Sequence, residues 1–152
     1  MEEHAAALAD GIEAALPAWV ERSVDRVLRA WVGSADVDAD AVRAEAARAG
    51  RDAAAEVGAQ VRTLLEADID EQGTTPLSLV RAAVRYPTSV LRAAGVPPVV
   101  RDEHQERLFP EDVYDLSPAN FADVDPALAE VGIAWGAAKA FEHLQRHKVG
   151  RS

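Results

Sequence analysis

Asp36, Asp38 and Asp40 alternate with small residues in the way the first half of a calcium loop does. An EF-hand would need Gly at the sixth position and Glu at the twelfth, and Ala41 and Ala47 stand there, so the acids are better spent capping a helix. His143 and His147 are four apart, a spacing that turns two imidazoles to one helix face. The zincin pattern would then need Glu at 144, where Leu144 sits, and a third ligand beyond His4 and His104. The run from Gly132 through Gly136 to Lys139 misses the phosphate-loop spacing GxxxxGK[ST]. Asp102, Glu103, His104 and Glu106 could exchange protons, but nothing orients them and no GxSxG elbow supplies a nucleophile. There is no Cys, which removes disulfides, thiolate metal sites and Cys nucleophiles together. No catalytic residue, metal site or cofactor follows from these residues, and the expectation is a protein that is not an enzyme.

What remains is the chemistry of surfaces. The net charge of −10 argues against general nucleic-acid or anionic-membrane binding, which need clustered positive charge. That charge is uneven: residues 1–72 carry a net −9 and residues 73–152 a net −1. No acid falls between Glu71 and Asp102, whereas Arg81, Arg85, Arg92 and Arg101 do. Arg81 and Arg85 share a helix face that Arg92 can extend, suited to an acidic partner segment or to pairing with the acidic half of the same chain. Gly132, Gly136 and Ala140 recur at four-residue spacing and would let another helix approach closely, from within the chain or from a second copy.

The elements that must position these residues read as helices throughout. Leu8, Ile12, Leu16, Val20, Val24, Val27, Leu28 and Trp31 step by three and four. Pro17 interrupts that ladder and predicts a kink or break near Leu16. Asp38 or Asp40 caps a second helix reaching about Glu71, along the stripe Val42, Ala46, Ala49, Ala53, Val57, Val61, Leu64 and Leu65. Such an Ala-rich face either lies very close to another helix or buries little. Thr75-Pro76 opens a third helix with Leu77, Val80, Ala83 and Val84 inward. Pro87 pushes Tyr86 out of helical geometry, giving two short helices at 76–85 and 87–94, closed by Gly95.

Residues 96–116 hold Pro97, Pro98 and Pro110 but also Val99, Val100, Leu108, Phe109, Val113, Tyr114 and Leu116. They predict an ordered strap with one helical turn near 102–108. Ser117-Pro118 opens a short turn ending near Ala122. Asp125-Pro126 opens a last helix, about 126–147, with Leu128, Val131, Trp135, Ala138, Phe141 and Leu144 on one side. No strand pattern occurs. The fold class is therefore all-α: one domain over 1–152, a bundle of about five to six helices with acidic N-terminal helices (3–72) followed by helices and strap (75–148).

The stretch VRAAVRYPTSVLRAAGVPPVVRDEHQERLFPEDVYDLSPANFADVDPAL with GIAWGAAKAFEHL, and the N-terminal ALPAWVERSV, resembles a family of uncharacterised actinobacterial proteins. The resemblance implies no activity, substrate or residue role. The sequence as a whole points to a cytoplasmic interaction or adaptor domain engaging another protein or a second copy of itself. An alternative is a small-molecule-binding domain with a pocket near Trp135, Tyr114 or Phe121, and a weaker one is an RNA- or ribosome-associated factor using Arg81, Arg85 and Arg92. No run of eighteen apolar residues occurs that could span a membrane.

Overall fold

A computed structural model describes residues 2–31, 37–67, 75–108, 110 and 112–150. The order is α1 (Glu2–Ala30), α2 (Ala39–Glu66), α3 (Pro76–Ala82), α4 (Arg85–Ala93), α5 (Glu103–Leu108), a 3-10 turn (Phe121–Asp123) and α6 (Leu128–Gly150). Among the described residues there is no strand, and the fold is all-α.

α1 is the hub. It packs along α2, meets α4 and carries α6, while α3 and α4 lean on α2. The predicted ladder is the core: Leu8, Ile12, Leu16, Val20 and Val24 are essentially free of solvent, joined by Trp19. The two long helices run antiparallel, as paired positions show: Asp25 faces Arg43, Pro17 faces Gly50, Glu13 faces Gly58 and Asp10 faces Arg62.

Of the kink or break expected near Leu16, the break does not occur: α1 runs as one helix through Pro17. Proline removes a single backbone donor, and its fixed φ is close to the helical value, so a helix packed on a neighbour can continue through it. That interface is tight. A Cβ placed on Gly50 would lie 2.9 Å from the Pro17 Cα and its carbonyl oxygen. The Ala-rich half of α2 resolves the same way, by close approach: Ala46, Gly50 and Ala53 are buried against α1.

Asp38 caps α2 by accepting from the Ala41 N–H at 3.2 Å. The helix stops at Glu66, earlier than expected: Ala67 is already extended, with φ −86° and ψ 132°. Glu66 places a negative charge at the negative end of the helix dipole, with no basic residue in the last turn to offset it. Gly73 and the rest of 68–74 lie outside the described residues, as do Gly33, Ser34 and Asp36.

Thr75 and Ser78 form a reciprocal capping box on α3, and Pro76 opens its first turn. α4 begins at Arg85, so Tyr86 is helical after all. Pro87 falls in the first turn, where its missing N–H has no carbonyl waiting for it. Gly95 ends α4 at φ 81°, a left-handed value that suits glycine.

Two hydrogen bonds tie the described residues of the strap together. Val99 N–H donates to the Val113 carbonyl at 2.9 Å, and the Tyr114 hydroxyl donates to the Val96 carbonyl at 2.6 Å. Val96, Tyr114 and Leu116 join the core. Val113 packs against it, whereas Val99, Val100 and Leu108 are exposed, Val100 at 97%. Phe109 lies outside the described residues. The turn after Ser117-Pro118 is 3-10 and is capped by Asn120. α6 begins at Leu128, after Asp125 has accepted from the Ala127 N–H at 3.0 Å.

Candidate functional site

Arg81, Arg85 and Arg92 come out differently from one another. Arg81 reaches from α3 to the loop before the 3-10 turn, where it donates to the carbonyls of Pro118 (3.0 Å) and Ala119 (3.1 Å). Arg85 turns to α2. Its guanidinium lies 3.6 Å from a Glu56 carboxylate oxygen, donates to the Tyr86 hydroxyl at 3.1 Å and stacks 5.0 Å over the Tyr86 ring. The Tyr86 hydroxyl in turn donates to Glu56. Partial burial raises the Tyr86 pKa, the hydrogen bond to Glu56 adds to this, and Arg85 opposes it. Arg81 and Arg85 share the rim of one groove with Pro110, Asp112 and Ser117; Arg92 does not line it. Arg92 is exposed in the last turn of α4.

Other arginines use the same loop. Arg22 donates to the Val124 carbonyl at 2.6 Å and Arg26 to the Asp115 carbonyl at 3.2 Å. Asp112 is buried, and its carboxylate accepts from the N–H groups of Leu116 and Ser117, each at 2.8 Å. A buried carboxylate that satisfies two main-chain donors holds a loop rather than a substrate. The sequence offered no sign of these roles, because a main-chain acceptor has no residue type to search for.

A larger groove, about 600 Å³, opens between α2 and α4. Val42, Ala49, Val90 and Ala94 are among its apolar lining, and Arg48, Glu56 and Arg85 among the charged residues. Arg48 is paired with Glu45 at 2.6 Å. The three aromatics expected to line a pocket do not gather at this groove. Tyr114 is a core residue, with its pKa raised by burial, and Phe121 packs on the face of Gly132.

α6 departs furthest from expectation. Leu128 is in the core, Val131 and Trp135 pack against it, and Lys139 sits 5.3 Å over the Trp135 ring. The predicted continuation fails there, since Phe141 and Leu144 are both 63% exposed. Ile133 is 72% exposed. Ile133, Ala137, Ala140 and Leu144, separated by four, three and four residues, therefore form an outward stripe with Phe141 on its flank. The strip of small residues also divides. A Cβ on Gly132 would meet the Phe121 ring at 2.6 Å, so this glycine admits an aromatic edge rather than a helix. A Cβ on Gly136 would meet nothing within 4 Å, and Ala140 is exposed.

Asp102, Glu103, His104 and Glu106 are exposed on and before α5. Among the described residues no three His, Cys, Asp or Glu side chains gather as a metal site. His143 is exposed, and the His147 side chain lies outside the described residues. Among the described residues no helix is long and apolar enough to cross a membrane. Comparison of the chain with family models, curated proteins and solved structures finds no match.

Proposed function

We propose that this chain is a non-enzymatic protein-interaction domain and that its docking surface is the outward stripe of α6. One observation carries the reading: Ile133, Phe141 and Leu144 are 63–72% exposed on a single helix, with alanines between them. Scattered exposed apolar residues are ordinary, but an aligned apolar row on a helix that is apolar on its inner side too is what a covered helix looks like. The adaptor reading thereby moves from the Arg-bearing face to α6. Arg81 is occupied with loop carbonyls and Arg85 with Glu56 and Tyr86. The test is Ile133→Asp with Leu144→Asp in the full chain. The helical circular dichroism is expected to persist while partner capture from native lysate is lost; capture that survives both charges defeats this placement of the surface.

A small-molecule-binding domain is the second reading, and the groove between α2 and α4 favours it. Its volume of about 600 Å³ is that of a drug-sized site. Native mass spectrometry of the purified chain would then show an added mass that disappears when Ala49→Trp fills the groove. An unadorned chain mass argues against it.

A further inference from the structure

Resting on the interaction reading above, we infer that the occupant of the α6 stripe is a second copy of this chain, docked antiparallel about a two-fold axis near Ala138. Three observations converge on it. The first is the reach of the helix: α6 spans roughly 35 Å, yet core-packed apolar side chains end at Trp135. Its far half therefore presents one exposed apolar face without cover from the described residues.

The second is self-complementarity. In an antiparallel pair centred between Ala137 and Ala140, Ile133 meets the second copy's Leu144 and Ala137 meets its Ala140. Phe141 then flanks the contact on the same side as the second copy's Phe141, where two aromatic rings can close the edge of the seam. Large residues meet at the ends and small ones at the crossing, where two backbones must come close. Gly136 lies on the other flank, where a Cβ would meet nothing within 4 Å, so that edge of the contact is left open. An isologous contact needs this kind of pattern, in which each residue's partner has the reciprocal partner.

The third is charge. α6 has Glu130 in its first turn, preceded by Asp123 and Asp125, while the sequence places Arg146, His147 and Lys148 in its last. Antiparallel copies set each acidic end beside a basic end and oppose the two helix dipoles favourably; parallel copies set like beside like.

The experiment is sedimentation velocity on the purified full chain from about 1 to 100 µM, a range that spans weak and strong association. A species of twice the 16.2 kDa chain mass is expected to grow with concentration. Leu144→Asp should shift its midpoint upward at least tenfold with helical content unchanged. Ala140→Asp, at an exposed position of the stripe, should weaken it as strongly. Orientation is read by thiol crosslinking, which is clean in a chain without Cys. Mixed Ala137→Cys and Ala140→Cys chains should form the heterodisulfide faster than either forms its own. A chain that stays monomeric at 100 µM overturns the proposal, as does a dimer indifferent to both substitutions or one that crosslinks most readily through Ala137→Cys alone. If the monomer still captures a different protein through Ile133 and Leu144, only the second copy is refuted; if that capture is also absent, the interaction reading falls with it.

Discussion

The α1–α2 pair and α6 are built from similar residues and treat them in opposite ways. Along the seam between α1 and α2 the small residues are used: Gly50 admits the Pro17 backbone, Gly58 meets the Glu13 side chain, and Ala46 and Ala53 are buried. In α6 the small residues face two directions: Gly132 meets Phe121, whereas a Cβ on Gly136 would meet nothing within 4 Å among the described residues and Ala140 is exposed. The difference shows that an Ala- and Gly-rich helix says that something comes close, without saying what. In the first pair the neighbour is in the same chain; in α6, where Ile133, Phe141 and Leu144 are exposed, we propose that it is a second copy.

The largest expected effect tests the contrast in a pair of leucines. Leu16→Ala empties a site with no solvent contact and should cost roughly 2–5 kcal/mol. Leu144→Ala, measured at concentrations low enough for the single chain, should stay within about 0.5 kcal/mol. Equal costs in urea unfolding would mean that α6 is covered within its own chain. Next in size, Gly50→Ala forces a methyl against the Pro17 backbone, which cannot swing away as a side chain can; a loss of about 1–3 kcal/mol is expected by the same measurement. A neutral result would show that the helices can slide apart.

A smaller effect separates the arginines. Arg81→Met strands two loop carbonyls and should lower stability on the order of 1 kcal/mol, whereas Arg85→Met, removing an exposed pairing, should cost less than about 0.5 kcal/mol. Tyr114→Phe should cost about 1 kcal/mol through the lost bond to Val96. Burial raises the Tyr114 pKa above its ordinary 10.0. The folded state thus favours the protonated phenol. That stabilisation is complete below pH 10 and disappears as pH rises through the higher folded value, so Tyr114→Phe should make alkaline unfolding less steep. The smallest effect runs the other way: Gly136→Ala should raise the monomer's stability by up to about 1 kcal/mol, since the added methyl meets nothing and alanine favours helix. A destabilised monomer would mean that Gly136 already has a neighbour within the chain.

Helix existence was legible because its signals are local. The ladder from Leu8 to Val24, the Asp38 cap, Thr75-Pro76 and Gly95 each sit where the sequence puts them. The misreadings share a cause. A break at Pro17 and a non-helical Tyr86 were both read from proline's local penalties, and at both places the helix continues. Periodicity marked Phe141 and Leu144 as an inner row, because an apolar period reports that a face is to be covered and is silent about whose surface covers it. The candidate site was legible only as residues, not as an arrangement. Arg81 and Arg85 do share a groove rim, but the carbonyls of Pro118 and Ala119 that hold Arg81 leave no mark in a pattern of side chains.

The way Arg22, Arg26 and Arg81 grip the segment between Asp115 and Val124 has a consequence for how that segment can change. Each grips a carbonyl oxygen, and every amino acid supplies the same oxygen. Positions such as Ala119, exposed and held only by its main chain, are free to take on new side chains while the loop keeps its path. The burden of preserving shape falls on these three arginines together with Asp112, Asn120 and Asp123, and positions such as Ala119 are left open to rewriting.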